Sequence, residues 1–232
     1  MFGHFAQARA TLTPVAVWIL RRRIHYVHMV FGLNSAAKKA RAEALVDTKL
    51  DSSQAIEPKL LAKSATKLKM DGSPTPTTIT DESGNLFATS KTKRKGMMKN
   101  ALWCLTDETG AAACVGAASI RMTSLTCQVS KGDAAFSTIK VSKGLMSASA
   151  TYTVDGTEVY KATKFSTLYF FMTVTTPDGA LVARVSQPGM DARKIDIEVG
   201  AGVDILAVIM LTNAISNLSG AGAGGLAGAG VY

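Results

Sequence analysis

The sequence is poor in the residues from which most active sites are built. Its three histidines, His4, His25 and His28, all stand near the N-terminus. The rest of the chain therefore has no imidazole for a Ser/His/Asp or Cys/His arrangement. The three cysteines, Cys104, Cys114 and Cys127, are odd in number, lie among apolar neighbours and show no CxxC spacing. That argues against a disulfide framework and against a zinc site; they read as buried free thiols of a reducing, intracellular compartment. Acidic residues are absent before Glu43. Long apolar runs are absent there too: residues 15–20 and 24–33 are split by Arg21, Arg22 and Arg23, and neither approaches the roughly 20 residues of a spanning helix. The basic residues come after the first apolar run, the reverse of a secretory signal, whereas an acid-free, Arg-bearing start resembles a mitochondrial transit peptide.

Present instead is a globular composition with a displaced charge. Apolar residues make up 47% of the 232, enough for a substantial core. Residues 1–70 hold 12 Lys or Arg against 4 Asp or Glu, and the remainder 14 against 13. The net charge of +9 thus belongs almost wholly to an N-terminal extension. Within it, residues 35–70 are rich in Ala, Lys and Leu, the composition of a solvated helix or two broken near Pro58. A Pro, Thr and Ser linker comes next, at 71–78, and the character then changes.

From Thr77 onward, short runs of Thr, Val, Phe and Tyr are separated by turn signals. These are Asp81-Glu82-Ser83-Gly84, Asp107-Glu108-Thr109-Gly110, Lys131-Gly132-Asp133, Asp155-Gly156 and Pro177-Asp178-Gly179. Asp-Gly between β-rich runs marks a hairpin, because glycine accepts the positive φ that such turns demand. Residues 77–200 therefore predict a meander of roughly ten short strands. After them stands a segment apolar on nearly every side, 203–218. Its most apolar part, 205–211, is too short for a bilayer, and Thr212, Asn213, Ser216 and Asn217 interrupt its second half. A helix that is apolar all round and outside a membrane must be buried on all sides, and a closed antiparallel barrel could enclose it. Asp204 is placed to cap its start, and the Gly-rich stretch after Leu218 ends it.

These features resemble the tubby C-terminal-like superfamily, and within it the LURP-one-related proteins more than the phospholipid scramblases. The likeness lies in the Asp178-Gly179 turn with Val182-Ala183, the alternating strand from Lys194 to Val199, then Gly202-Val203-Asp204 and an aliphatic helix. Leu86-Phe87 and the Asp107-Glu108-Thr109-Gly110 turn match that branch's opening strands. The resemblance implies a mainly β fold, an antiparallel closed barrel of about twelve strands around a central C-terminal helix. The expected organisation is a helical extension at 1–70, the linker at 71–78, the barrel at 79–218 with its helix at 203–218, and a flexible Gly-rich tail at 219–232. Neither the palmitoylated cysteine cluster nor the acidic calcium-binding segment of scramblases is present.

With no catalytic constellation, the candidates are binding surfaces. Lys91, Lys93, Arg94, Lys95 and Lys99 form the one basic cluster of the barrel region, read as a loop between strands with Met97 and Met98 beside it. Such a loop suits anionic lipid headgroups, each cation near the surface contributing about 1 kcal/mol. It also suits a solubilising loop or a Lys-guarded edge strand. The resemblance implies lipid, since tubby proteins bind phosphoinositide headgroups through a basic patch. In the extension, Trp18, Tyr26 and Phe31 around Arg21, Arg22 and Arg23 form the pattern of an interfacial anchor with snorkelling arginines, or of a surface packed on a partner protein. A basic arm has non-specific affinity for nucleic acid, but the apolar half of this one and the lack of any binding motif argue against that partner.

The remaining signals read as structural. His25 and His28, at i, i+3, have no acidic or thiol neighbour to complete a metal site. Asp81-Glu82 and Asp107-Glu108 are turn carboxylates. GAGVD at 200–204 lacks the lysine of a phosphate loop and carries an acidic residue where a phosphate would sit. No catalytic residue, metal or cofactor is expected. The sequence thus predicts a non-enzymatic, intracellular protein that associates with membranes through acidic lipids or a membrane-bound partner. The alternative is a structural accessory subunit of a larger complex, for which a mitochondrial location stays open.

Overall fold

The computed structural model describes residues 35–72, 76–95, 100–144, 147–165, 167 and 169–219. Twelve strands succeed one another: β1 (Thr66–Asp71), β2 (Thr77–Asp81), β3 (Leu86–Lys95), β4 (Asn100–Asp107), β5 (Ala112–Ile120), β6 (Ser124–Lys131), β7 (Ala134–Lys143), β8 (Ala148–Val154), β9 (Thr157–Lys164), β10 (Phe171–Thr175), β11 (Leu181–Ser186) and β12 (Lys194–Val199). Each pairs antiparallel with the next, and β1 closes the ring against β12 from Thr66↔Val199 to Asp71↔Lys194. The meander and closed barrel expected from the sequence are present. So are its turns, with Gly84, Gly110, Gly132, Gly156 and Gly179 all at positive φ.

Strand alternation sorts the side chains. Leu68, Trp103, Cys127, Ile139, Tyr152, Tyr160 and Ile197 point inward and are buried, whereas Lys67, Lys140, Thr151, Lys161 and Glu198 face out. A polar outer wall around an apolar interior is the reverse of a lipid-spanning barrel, whose outer band is apolar. The interior is filled by a helix, α2 (Ile205–Ser219), which packs against β5 to β8. Residues 205–211 are no more than 2% exposed, as an all-round apolar helix requires. Among the described residues no helix is long and apolar enough to cross a membrane.

The N-terminal boundary needs correction. Residues 35–42 are helical (α1), but the rest of 35–70 is not the solvated helix its composition suggested. Residues 66–71 are β1 itself, and β2 begins inside the expected linker, at Thr77. Lys67 and Lys69 alternate with Leu68 and Met70, so charged residues that read as a helix surface are the outer face of a strand. Between α1 and β1 the chain forms an extended strap across one end of the barrel, with short 3-10 turns at Ser52–Gln54 and Pro58–Leu60. Backbone bonds hold it: Val46 N–H to Leu181 O (2.8 Å), Thr48 N–H to Ala201 O (2.8 Å) and Ala62 N–H to Val203 O (3.0 Å). Its own Ala55, Ile56 and Ala62 are buried. Gly202, at φ +75, turns the chain from β12 into α2, and a Cβ there would overlap the Thr48 carbonyl oxygen. Upstream, Arg41 stacks on the Phe171 ring at 4.6 Å, and Phe171 and Thr173 are buried although they point outward from β10.

Strap and helix meet at Asp204, which is fully buried. Its Oδ1 accepts from the Ala207 N–H at 3.1 Å, capping α2 as the sequence predicted, while its Oδ2 accepts from the strap's Ile56 N–H at 2.7 Å. Its own N–H donates to the Tyr160 hydroxyl at 3.1 Å. Burial pushes the carboxyl up to about 6, opposed by the amide bonds from Ile56, Ala207 and Leu206. Replacing Asp204 by Ala leaves buried amides without an acceptor and is expected to cost about 1–3 kcal/mol in urea unfolding. A carboxyl raised in the folded state stabilises fully below its ordinary value of 3.8, and that contribution is lost as pH rises through about 6. The folded protein should therefore gain stability from this group between pH 7 and pH 5, and the gain should vanish in Asp204→Asn. Asp51, Asp81, Asp107 and Asp191, held below the carboxylate range by hydrogen bonds, act in the opposite sense and only at lower pH.

Candidate functional site

An up-and-down barrel sends alternate connections to opposite ends, so the two ends can differ in chemistry. At the strap end are the five tight hairpin turns, carrying Asp81, Glu82, Asp107, Glu108, Asp133, Asp155 and Asp178 against a single Lys131, while the strap beside them adds Asp47, Asp51 and Glu57 together with Lys49, Lys59 and Lys63. Turn geometry accounts for part of this acidity: Asp81 accepts from the Asn85 N–H at 2.8 Å, and Asp107 from the Thr109 and Ala111 N–H groups at 2.9 and 3.0 Å. The opposite end holds the other connections, which are of mixed length. Among the described residues at that end, Arg121, Lys143, Lys164, Arg193 and Lys194 are balanced only by Asp71 and Asp191. No turn requirement calls for these cations. The basic rim is therefore the candidate site.

Its parts are fixed by the sheet. Register places Lys143 and Lys164 on either side of Ala148, one on β7 and one on β9. Lys164 is half-buried with its ammonium 5.9 Å from the Phe170 ring centroid. Burial, then the neighbouring Lys143 charge, holds it below the usual lysine range. An anion between the two would relieve that repulsion. The β5–β6 turn is tied by the Arg121 N–H to Ser124 O and the Lys143 N–H to Thr123 O, both 2.8 Å. In the β11–β12 connection, Arg193 is neutralised by Asp191 through Nε at 2.9 Å and Nη2 at 3.2 Å.

The sequence-derived candidates divide. Lys91, Lys93, Arg94 and Lys95 are on strand β3 and not on a loop, because the strand runs ten residues before it turns. Lys91 and Lys93 are exposed on the outer wall, opposite Cys104 and Leu102 of β4. Lys99, and the whole anchor group of Trp18, Arg21, Arg22, Arg23, Tyr26 and Phe31, lie outside the described residues, as do the three histidines. Sequence reading missed Arg121, Lys143, Lys164 and Lys194. They are scattered along the chain and become neighbours only when alternate connections are gathered at one end, a signal available once the strands had been counted.

The interior offers little reactivity. Burial pushes the Cys114 and Cys127 thiols up to about 12, while Cys104, on the outer face of β4, is only half-buried. Trp103 Nε1 is buried without a hydrogen-bond partner. Tyr152 stacks on Tyr160 at 6.0 Å, and burial raises both phenols above their usual range. At the strap end a cleft of ≈ 440 Å³ opens between Glu57, Lys59, Lys63, Asp107 and Ile205, with charges of both signs. Among the described residues no three His, Cys, Asp or Glu side chains gather as metal ligands.

No protein-family profile matches the chain, and no curated protein sequence does. Among solved structures, an X-ray structure of a protein from Arabidopsis thaliana is similar with a TM-score of 0.48 and 16% identity, covering 71% of this chain and 97% of that one. At pH 8 the folded protein should show one thiol reactive toward a disulfide reagent, Cys104, and all three only after unfolding. Fast reaction of all three in the folded state would contradict the closed interior.

Proposed function

We propose that this is a non-enzymatic, tubby-like barrel protein that associates inside the cell with membranes bearing acidic lipids. The observation that carries the reading is the segregation of charge between the two ends. Turn chemistry accounts for part of the acidity of one end, whereas no turn requirement calls for the cations of the other. A cationic face on a low-dielectric body attracts anionic surfaces, and each Lys or Arg near such a surface contributes about 1 kcal/mol. The exposed Lys91 and Lys93 extend the field of the rim along β3. The tubby-like part of the proposal draws on the twelve strands closed around an apolar C-terminal helix and on the motifs that resemble that superfamily. The absence of histidine from residues 35–232 and the raised Cys114 and Cys127 thiols support a binding role over a catalytic one.

Sedimentation of the full-length protein with vesicles tests the reading. Binding to anionic and not to neutral vesicles, weakened by salt, is expected. The triple variant Lys93→Ala, Arg94→Ala, Lys95→Ala should bind about 100-fold more weakly, from about 1 kcal/mol per cation removed. If the intact protein does not sediment with anionic vesicles at low salt, the barrel is better read as a scaffold of a protein complex.

A further inference from the structure

Two side chains stand apart from every other large apolar group described. Met122 is 96% exposed and Met190 is 89% exposed, whereas the next, Val46 and Leu86, are 47% and 41%. A single exposed methionine needs no explanation, but these two share a setting. Met122 is in the β5–β6 turn beside Arg121, and Met190 is in the β11–β12 connection with Arg193 and Lys194 close behind. Both connections are at the basic end. In the ring, six strands separate them in either direction, so they lie on opposite sides of the rim.

Neither is on a slack loop. The Met122 turn is tied by the Arg121 and Lys143 backbone amides, which donate to Ser124 O and Thr123 O. The Met190 segment is braced on one side by Gln187, whose N–H donates to Phe170 O at 2.9 Å and whose Nε2 donates to Gly189 O at 2.5 Å, and on the other by the Asp191–Arg193 pair. A flexible, polarisable side chain held outward on a fixed turn among cations is suited to entering the boundary between headgroups and acyl chains. Charge brings the surface near, and the thioether then leaves water.

We infer that the barrel docks end-on, its basic end facing an anionic phospholipid membrane, with Met122 and Met190 inserting on opposite sides of the rim. Two insertions half a ring apart fix a line across that end, so the barrel axis stands across the membrane surface instead of lying along it. The acidic turns and the strap then point away from the lipid, where repulsion from the surface is least. The described chain is arranged consistently with this. It passes Phe171, the first residue of β10, at this end, and α2 finishes here with Leu218 still buried. The inference rests on the proposed association with acidic lipids and adds to it the mode of contact and the orientation.

The test uses full-length protein and vesicles of phosphatidylcholine with and without phosphatidylserine. Met122→Ser and Met190→Ser should each weaken anionic-vesicle binding roughly tenfold, the effect of withdrawing most of one large apolar side chain from the interface. Met→Leu at either place should restore it, and the salt dependence should be unchanged because no charge is altered. Both residues are exposed, so the unfolding midpoint should not move. In a second measurement, Met122→Trp and Met190→Trp should each add fluorescence that bromine-labelled lipid quenches, whereas Leu86→Trp at the acidic end should add none. Wild-type binding with both serine variants unaffected would overturn end-on insertion and leave the electrostatic reading standing. Loss of binding in the wild type itself would overturn both.

Discussion

The Asp204 carboxylate holds three parts of this molecule at one buried point. It caps the helix inside the barrel, receives the Ile56 amide of the strap that crosses the barrel's end, and its backbone amide reaches Tyr160 on the wall. Without it the helix would begin with unsatisfied amides in an apolar interior, where each costs more than an ordinary hydrogen bond returns. Its position explains why Gly202 must turn the chain there and why the strap runs where it does. The arrangement has a cost, a carboxyl shifted up to about 6 by burial, so the closure is stabilised first by amide dipoles, with the Lys131 charge a smaller contribution.

Closure at that end leaves the other end free to differ. An antiparallel meander sends odd and even connections to opposite rims, and five connections at the strap end are tight turns whose geometry selects Asp and Gly. The connections at the far rim are of mixed length, and cations have accumulated there. The polarity thus comes from the topology as much as from the composition. With a chain whose residues from 71 onward hold 14 basic and 13 acidic residues, only the fold reveals that the two signs are separated in space.

Much of the architecture was legible in the sequence because it is local. The Asp-Gly turns, the period of two in residues 151–154 and 195–199, and the all-round apolar helix each depend on neighbours along the chain. The missed elements depend on distant ones. Residues 66–71 alternate too briefly among lysines to stand out as a strand until β12 pairs with them. The strap is extended because Leu181, Ala201 and Val203 offer backbone partners, which no propensity for Ala, Lys and Leu foretells. A Cβ at Gly116 would meet the end of the Met210 side chain on the helix, a neighbour almost a hundred positions away. The candidate site was legible only where its cations are contiguous, on β3. Its larger part, contributed by single residues of separate connections, was not.

Hydrogen exchange of the full-length protein, with and without anionic vesicles, tests the central claim most directly, because it reports both ends of the barrel in one experiment. End-on docking predicts added protection at residues 120–124 and 186–194, at the basic end, with the turns at 81–86, 107–112 and 154–157 unchanged. Protection concentrated in those acidic turns, or spread evenly along the outer wall, would contradict it.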